Sequence, residues 1–307
     1  MSVSPKLTSF LSDFNDVLDN MRKAGVIPTP ETTRSGLDSL AKYLSDPPEL
    51  AYVEDKVIQS EGFNIPVRIY SPAPNKELPV FVFYHGGGHM CGSVELYDPI
   101  ARKIASYSNV IVVSVDYRRS PEFPYPTGLN DSYEATKRVW EVLGEIKYQQ
   151  RLFIGGDSGG GAVSASIVTR NLTTQELSID KQVLIYPSLD YTMRGKSYEE
   201  NGTGYFLEKS KIEWYFDHYF QNNEDRSQAS PLLGQFSSDM PETIIITGGF
   251  DPIRDEGLAY GEKLRNMGVY AENQHYEGMI HAFLFFENMI EEDIQQAYDQ
   301  IATFLQR

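Results

Sequence analysis

Gly156-Asp157-Ser158-Gly159-Gly160 is the most informative segment of this sequence. A run at 151–154 that reads as a strand precedes it, and small residues typical of a helix follow it at 161–165. This Gly-x-Ser-x-Gly pattern is typical of a nucleophile elbow, in which a serine occupies a sharp turn between a strand and a helix. An ordinary strand-to-helix turn can show the same residues, so the interpretation depends on the rest of the chain.

A second glycine-rich turn, His85-Gly86-Gly87-Gly88, follows the apolar run 79–84. Glycines at the carboxyl end of a strand let backbone N–H groups converge on the negative oxygen of a carbonyl under attack. We therefore predict an oxyanion hole formed by the N–H groups of Gly86, Gly87 and Gly159. A phosphate-binding loop is disfavoured because no Gly-Lys-Ser/Thr follows, and the spacing does not fit the dinucleotide-binding Gly-x-Gly-x-x-Gly.

Two further side chains complete a predicted catalytic triad. Asp251 lies just beyond the strand-like run 243–247, and His281 follows the strand-like run 271–276. With Ser158 they stand in the order nucleophile, acid, base. A serine hydroxyl becomes a good nucleophile when an imidazole takes its proton, and a carboxylate holds that imidazole in the correct tautomer. The sequence therefore predicts acyl-transfer chemistry at Ser158.

Other interpretations of the acidic and histidine side chains are weaker. Asp255 and Glu256 are rival triad acids, but they begin a helical pattern, where a carboxylate in the first turn is favoured in any case. His85 and His89 are four residues apart, which invites a metal-binding interpretation. The glycines between them do not form a helix, and no third ligand with suitable spacing is evident. We expect neither a metal nor a cofactor.

Together these motifs resemble the hormone-sensitive-lipase-like family of α/β-hydrolase carboxylesterases. Segments 116–126, 204–207, 230–232 and 251–257 are also similar to segments of that family. The resemblance covers roughly residues 50–307. It implies Ser158 as nucleophile, Asp251 as acid and His281 as base, with Gly86, Gly87 and Gly159 as the oxyanion donors.

The resemblance and the triad lead us to expect a serine carboxylesterase that hydrolyses short-chain acyl esters through an acyl-enzyme intermediate. An amidase or small-peptide hydrolase would use the same triad, because only the leaving group differs. A ligand-binding protein on an inactive hydrolase scaffold would lack the nucleophile or the base. His89 stands after the glycines, where the family usually has an aromatic or small apolar residue. We expect four side chains in the substrate pocket: His89, Tyr205, Phe206 and Trp214.

Strand-like runs alternate with helical patterns from residue 51 onward. This order predicts the α/β-hydrolase fold, a mostly parallel eight-stranded sheet flanked by helices, with a helical cap. Residues 1–48 carry two amphipathic helical patterns and are expected to form an N-terminal cap segment. Residues 49–307 are expected to form the core, with a second cap insertion at about 191–230. The polar last strand, 271–276, predicts an exposed sheet edge through which a homodimer forms.

Composition narrows the setting in which the protein acts. No apolar run approaches the roughly 18 residues that a membrane span needs. The net charge of −16 disfavours nucleic acid and anionic membranes, which would repel the protein. Cys91 is the only cysteine and an intrachain disulfide needs two, so we expect a reducing, cytoplasmic location. The expected partner is a small-molecule ester.

Overall fold

The computed structural model describes residues 2–307 and contains one eight-stranded sheet. The strands are β1 Tyr52–Ile58, β2 Ile65–Ser71, β3 Leu78–Tyr84, β4 Ile111–Val115, β5 Tyr148–Asp157, β6 Lys181–Ile185, β7 Glu242–Phe250 and β8 Ala271–Ile280. Their order across the sheet is β1-β2-β4-β3-β5-β6-β7-β8. The pairs β1–β2 and β2–β4 are antiparallel, and all the other neighbours are parallel. The predicted fold class is confirmed.

Helices cover both faces of the sheet. They are α1 Pro5–Lys23, α2 Pro30–Asp38, α3 Val94–Ser108, α4 Thr127–Lys137, α5 Gly159–Thr174, α6 Ser197–Glu200, α7 Lys209–Tyr219, α8 Arg226–Ala229, α9 Arg254–Asn266 and α10 Glu287–Gln306. Short 3₁₀ helices lie at Ser39–Tyr43, Val139–Val142, Pro231–Leu233 and Phe283–Phe285. No helix in residues 2–307 is long and apolar enough to cross a membrane.

The two faces of the sheet bury separate apolar clusters, and β3 shows why. Its side chains alternate, so Phe81 and Phe83 join the cluster under α3 and α10, whereas Val80 and Val82 join the cluster under α4, α5 and α9. All four side chains are fully buried. A strand buried on both faces reads as a continuous apolar run, which is the pattern that the sequence shows.

The carboxyl ends of the parallel strands meet at one edge of the sheet and carry the candidate site. β7 and β8 are longer than the sequence predicts, because their pairing continues past an irregularity to Phe250 opposite Ile280. Asp251 and His281 are therefore each the first residue after a strand. Ser158 and the glycine run follow β5 and β3 in the same way.

Residues 2–48 and 191–230 contribute side chains to the surroundings of this edge, and we call them the cap segments. The Ser4 N–H donates to the Gly278 carbonyl at 2.9 Å, which attaches the start of α1 to β8. The Phe10 ring lies 4.6 Å from the Phe286 ring and 5.8 Å from the Phe206 ring, measured between centroids. Aromatic contacts thus join the two cap segments to each other and to the core.

Candidate active site

Ser158 occupies a strained turn between β5 and α5, with φ 51° and ψ −117°. A Cβ atom at Gly160 would lie 1.9 Å from the Tyr84 carbonyl oxygen, and one at Gly156 would lie 2.2 Å from it. Both distances are far below van der Waals contact, so only glycine lets the turn approach β3 so closely. The Ser158 N–H donates to the Ile185 carbonyl at 2.8 Å, which ties the turn to β6.

The structure brings the three predicted triad side chains together. Ser158 Oγ lies 2.9 Å from His281 Nε2, and His281 Nδ1 lies 2.8 Å from Asp251 Oδ2. Asp251 is fully buried, and its other oxygen accepts the Ile253 N–H at 2.9 Å. When Asp251 accepts a hydrogen bond from the Nδ1–H group, the lone pair of Nε2 faces the serine hydroxyl. This is the arrangement in which an imidazole can remove the hydroxyl proton.

The rival acids point elsewhere. Asp255 accepts the Ser197 N–H at 3.0 Å. Glu256 is buried against the second cap segment, where it accepts the N–H groups of Leu189 and Asp190 and the Tyr198 hydroxyl. Burial raises the pKa of Glu256 to about 8. Glu256 therefore connects the core to the cap, and Asp251 is the carboxylate that contacts the imidazole.

The glycine run differs from the sequence prediction at Gly86. The Gly86 N–H donates to Asp157 Oδ1 at 2.6 Å, so it is already occupied and does not face the cavity. Gly87, Gly88 and Gly159 line the cavity instead. Within residues 2–307 their N–H groups have no hydrogen-bond acceptor, and a Cβ built on Gly159 would lie 3.3 Å from the Gly88 nitrogen. The prediction that Gly86 is an oxyanion donor was therefore wrong, and Gly88 is the second glycine of the run that lines the cavity.

Asp157, which the sequence analysis left without a role, holds the glycine run against the elbow. Its carboxylate is buried and accepts the Tyr97 hydroxyl at 3.0 Å in addition to the Gly86 N–H. Burial raises the pKa of Asp157 to about 7. The sequence signal that could have pointed to this role is the position of Asp157 inside the Gly-x-Ser-x-Gly pattern, immediately before Ser158.

A cavity of about 1100 Å³ opens above Ser158 and His281. Three of the four predicted pocket side chains line it: His89, Phe206 and Trp214. Tyr205 does not, because its ring packs on Phe250 at 4.9 Å. Tyr205 was wrongly predicted because neighbouring residues in an irregular segment point in different directions.

His89 forms a fixed part of the cavity wall. Its ring stacks on Tyr219 at 3.9 Å with the planes 6° apart, and its Nε2 lies 3.1 Å from the Tyr191 hydroxyl. Burial lowers the pKa of His89 to about 3, so this imidazole is neutral at physiological pH. Within residues 2–307, no group of three or more His, Cys, Asp or Glu side chains is placed to hold a metal ion.

Sequence reasoning missed several side chains that line the cavity. They include Lys211, Tyr215, Phe285 and Met289. The i, i+3, i+4 spacing of Lys211, Trp214 and Tyr215 places these three on one face of a helix, and this spacing could have found them. The others are apolar residues of ordinary amphipathic patterns, which do not distinguish a cavity wall from a core.

Comparison with known proteins identifies the family. The chain matches a family model described as alpha/beta hydrolase fold over residues 81–285. Ethyl acetate hydrolase from Pseudomonas putida is 30% identical over 306 residues, 95% of each chain. Carboxylesterase NlhH from Mycobacterium tuberculosis is 34% identical over 256 residues, 80% of each chain. The hyperthermophilic esterase from the archaeon Pyrobaculum calidifontis matches with a TM-score of 0.85 at 32% identity, covering 99% of this chain and 98% of that one. The chain therefore belongs to the α/β-hydrolase family of hormone-sensitive-lipase-like carboxylesterases.

Proposed function

We propose that this protein is a serine carboxylesterase that hydrolyses short-chain acyl esters through an acyl-enzyme intermediate. The observation that carries the proposal is the continuous hydrogen-bond chain from Ser158 through His281 to Asp251 at the floor of a cavity. The relatives named ethyl acetate hydrolase and carboxylesterase support the same reaction class.

The first half of the reaction transfers the acyl group to the enzyme. Ser158 Oγ attacks the ester carbonyl while His281 Nε2 takes the hydroxyl proton. The tetrahedral intermediate then collapses, the ester C–O bond breaks, and His281 gives its proton to the leaving alcohol. Asp251 stabilises the positive charge that His281 carries between these two steps.

The negative oxygen of the tetrahedral intermediate is placed at the N–H groups of Gly87, Gly88 and Gly159. Loss of one such donor typically costs about 3–4 kcal/mol of transition-state stabilisation. Water then attacks the acyl-enzyme with His281 as base, Ser158 regains its proton, and the carboxylic acid leaves. Apart from the ester and this water, the route uses only these side chains and the backbone N–H groups.

We test the class of reaction with a chromogenic acetyl ester and the matching acetyl anilide. Turnover of the ester, together with covalent labelling of Ser158 by an organophosphonate, supports an esterase. Faster turnover of the anilide would instead indicate an amidase. Labelling at a residue other than Ser158 would contradict the triad.

We further propose a preference for acyl chains of roughly two to six carbons, because aromatic side chains of both cap segments roof the cavity. Phe10, Phe14 and Phe206 contact one another there. The cavity of about 1100 Å³ has room for longer chains, so kcat/KM across p-nitrophenyl esters of graded length is the decisive measurement. Each methylene that fits gains about 0.8 kcal/mol on burial, and the acyl length at which this gain stops marks the end of the pocket. Efficient hydrolysis of emulsified long-chain triglyceride would contradict the preference.

The assembly and location of the protein are further proposals. β8 lies at one edge of the sheet, where unpaired backbone groups can meet those of a second copy about a two-fold axis. We propose a homodimer through this edge, and sedimentation that shows only monomer at micromolar concentration would contradict it. A chain with one cysteine forms no intrachain disulfide, which supports a cytoplasmic location.

A further inference from the structure

Lys211 is a cationic side chain in the wall of the catalytic cavity. It lies in the first turn of α7 and lines the same cavity as Ser158 and His281. Its Nζ lies 4.0 Å from the centroid of the Trp214 ring and 5.1 Å from that of the Tyr215 ring. The two rings hold the ammonium group in a fixed position on the cavity side of the helix.

The charge of Lys211 has no counterion in the protein. Within residues 2–307, Nζ donates one hydrogen bond, to the neutral Thr33 Oγ1 at 2.8 Å, and no carboxylate lies within ion-pair distance. An ammonium group has three N–H donors, so two remain for a ligand. Burial lowers the pKa of Lys211 to about 8, and the group is therefore mostly protonated at neutral pH. A half-buried cation without a partner is costly unless something else supplies the negative charge.

The other cations around the cavity either pair with a carboxylate or lie at the exposed surface. Lys6 and Arg22 each pair with a glutamate. Lys42 lies at the exposed surface. Lys209, two residues before Lys211 on the same helix, faces away from the cavity and pairs with Glu199. Among these cations, Lys211 is therefore the one that is half-buried and has no carboxylate partner.

The position of Lys211 connects it to the reaction centre through one side chain. The Tyr215 ring packs on Gly88, since a Cβ atom built there would lie 2.7 Å from the ring. Lys211 is one helical turn from Tyr215 on the same face. The ammonium group therefore lies on the side of the cavity where the glycine run meets the substrate.

We propose that Lys211 is a specificity-determining residue that binds a carboxylate of the substrate, so that the esters preferred by this enzyme carry a second, negatively charged group. This inference rests on the proposed esterase function. The protein as a whole carries a charge of −16 and repels anions at long range. A cation inside the cavity compensates for that repulsion at the point where the substrate is held.

The test compares an anionic ester with its neutral isostere. The first pair is monoethyl adipate and its primary amide, which carry the second group on the acyl side. The second pair is the O-acetyl ester of γ-hydroxybutyrate and its primary amide, which carry it on the alcohol side. The wild-type enzyme is expected to favour the carboxylate over the amide in one pair, and that pair shows which side of the ester faces Lys211.

Substitution of Lys211 by methionine should lower the ratio of kcat/KM for the carboxylate to that for the amide about tenfold. Lys211→Arg should restore most of that ratio because it keeps the charge. Lys42→Met and Lys209→Met remove the same charge at the cavity mouth and outside the cavity, and both should leave the ratio unchanged. Thr33→Val removes the neutral partner of Lys211 and should also preserve the preference for the carboxylate.

A structural role alone would give a different result. If Lys211 only attaches α7 to α2, Lys211→Met changes turnover of both members of a pair by the same factor, and the inference is overturned. An equal preference for carboxylate and amide in the wild-type enzyme overturns it as well. Absence of turnover with every ester, neutral ones included, would contradict the proposed esterase function instead.

Discussion

The elbow around Ser158 and the cap segments above it are held in place by different kinds of contact. The elbow depends on the backbone, since the turn passes so close to β3 that a Cβ at Gly160 would lie 1.9 Å from a carbonyl oxygen. The cap depends on side chains. In α1 only Leu7 and Leu11 are buried, whereas Val17 is 56% exposed. The elbow therefore tolerates little change in its backbone, whereas the exposed faces of the cap segments can vary.

The largest expected effect comes from the elbow itself. Ser158→Ala should reduce kcat by about 10⁴-fold or more, since loss of a triad nucleophile leaves only the oxyanion hole and binding. The change removes one oxygen, so the melting temperature should stay near that of the wild type. Both quantities are measured on the same purified protein.

Ser188→Ala is the matched control for this change. Ser188 lines the same cavity, and within residues 2–307 its hydroxyl has no hydrogen-bond partner. This variant should keep most of the wild-type turnover. If Ser158→Ala retained more than about one per cent of turnover, Ser158 would not be the nucleophile.

The second prediction compares a glycine of the elbow with a glycine of the cap. Gly160→Ala should destabilise the fold by more than about 3 kcal/mol or prevent its formation, because a backbone oxygen of β3 cannot move aside. Gly36→Ala in α2 meets nothing within 4 Å and should leave stability unchanged or raise it by up to about 1 kcal/mol. Chemical denaturation of both variants measures the difference. If Gly160→Ala had the same denaturation midpoint as the wild type, the backbone of the elbow would be able to shift and accommodate a side chain.

The contrast between the elbow and the cap segments also explains what could be predicted from the sequence. The elbow, the strand order along the chain and the positions of Asp251 and His281 are local features, because each residue directly follows a strand and its role depends on that placement. Apolar runs revealed the strands, and spacings of three and four residues revealed the helices that position them. The sheet and its eight strands were predictable for this reason.

Contacts between distant segments could not be predicted. Gly86 was assigned as an oxyanion donor because the sequence does not distinguish the glycines at the end of a strand. In the structure its N–H donates to Asp157, 71 residues away. Tyr205 was assigned to the pocket because it is an aromatic residue of the second cap segment, yet it packs on Phe250. Nothing in the sequence singled out Lys211, and only the fold brings it beside Thr33 of the other cap segment.

The third prediction concerns the ionic attachment of the cap. The Arg34 guanidinium donates to the carbonyls of Met90 and Ser120, at 3.0 and 2.9 Å, and to the carboxylate of Glu122, whose pKa it lowers. Met90 lies two residues after the glycine run. Arg34→Met should therefore lower kcat/KM about three- to tenfold, mainly through KM, because half-exposed ion pairs and the carbonyl contacts each contribute only about 1 kcal/mol.

Two further variants separate the contributions to this effect. Arg34→Lys keeps the charge but cannot form the same fork of hydrogen bonds, so it should recover only part of the activity. Glu122→Gln should lower kcat/KM less than Arg34→Met does. High salt should lower kcat/KM of the wild type by a similar amount, because it screens the same ion pair. If Arg34→Met left KM and kcat unchanged, α2 would be held over the cavity by its apolar contacts alone.

The smallest expected effect is a change in pH dependence at Glu256, which joins α9 of the core to the second cap segment. Because burial raises the pKa of Glu256 to about 8, the folded protein keeps this proton where an unfolded glutamate, with a pKa near 4.3, has lost it. The folded state then binds more protons than the unfolded state, so the free energy of unfolding falls as pH rises through this window.

Glu256→Gln keeps an oxygen for the two N–H groups and an amide for the Tyr198 hydroxyl, and it does not titrate. Between pH 6.5 and 8.5 the melting temperature of the wild type should fall more steeply than that of Glu256→Gln. Asp157, whose pKa burial raises to about 7, titrates in both proteins, and His89, whose pKa burial lowers to about 3, stays neutral in the folded state of both, so the difference belongs to Glu256. Parallel curves for the two proteins would show that Glu256 is ionised at this joint and held by its three donors.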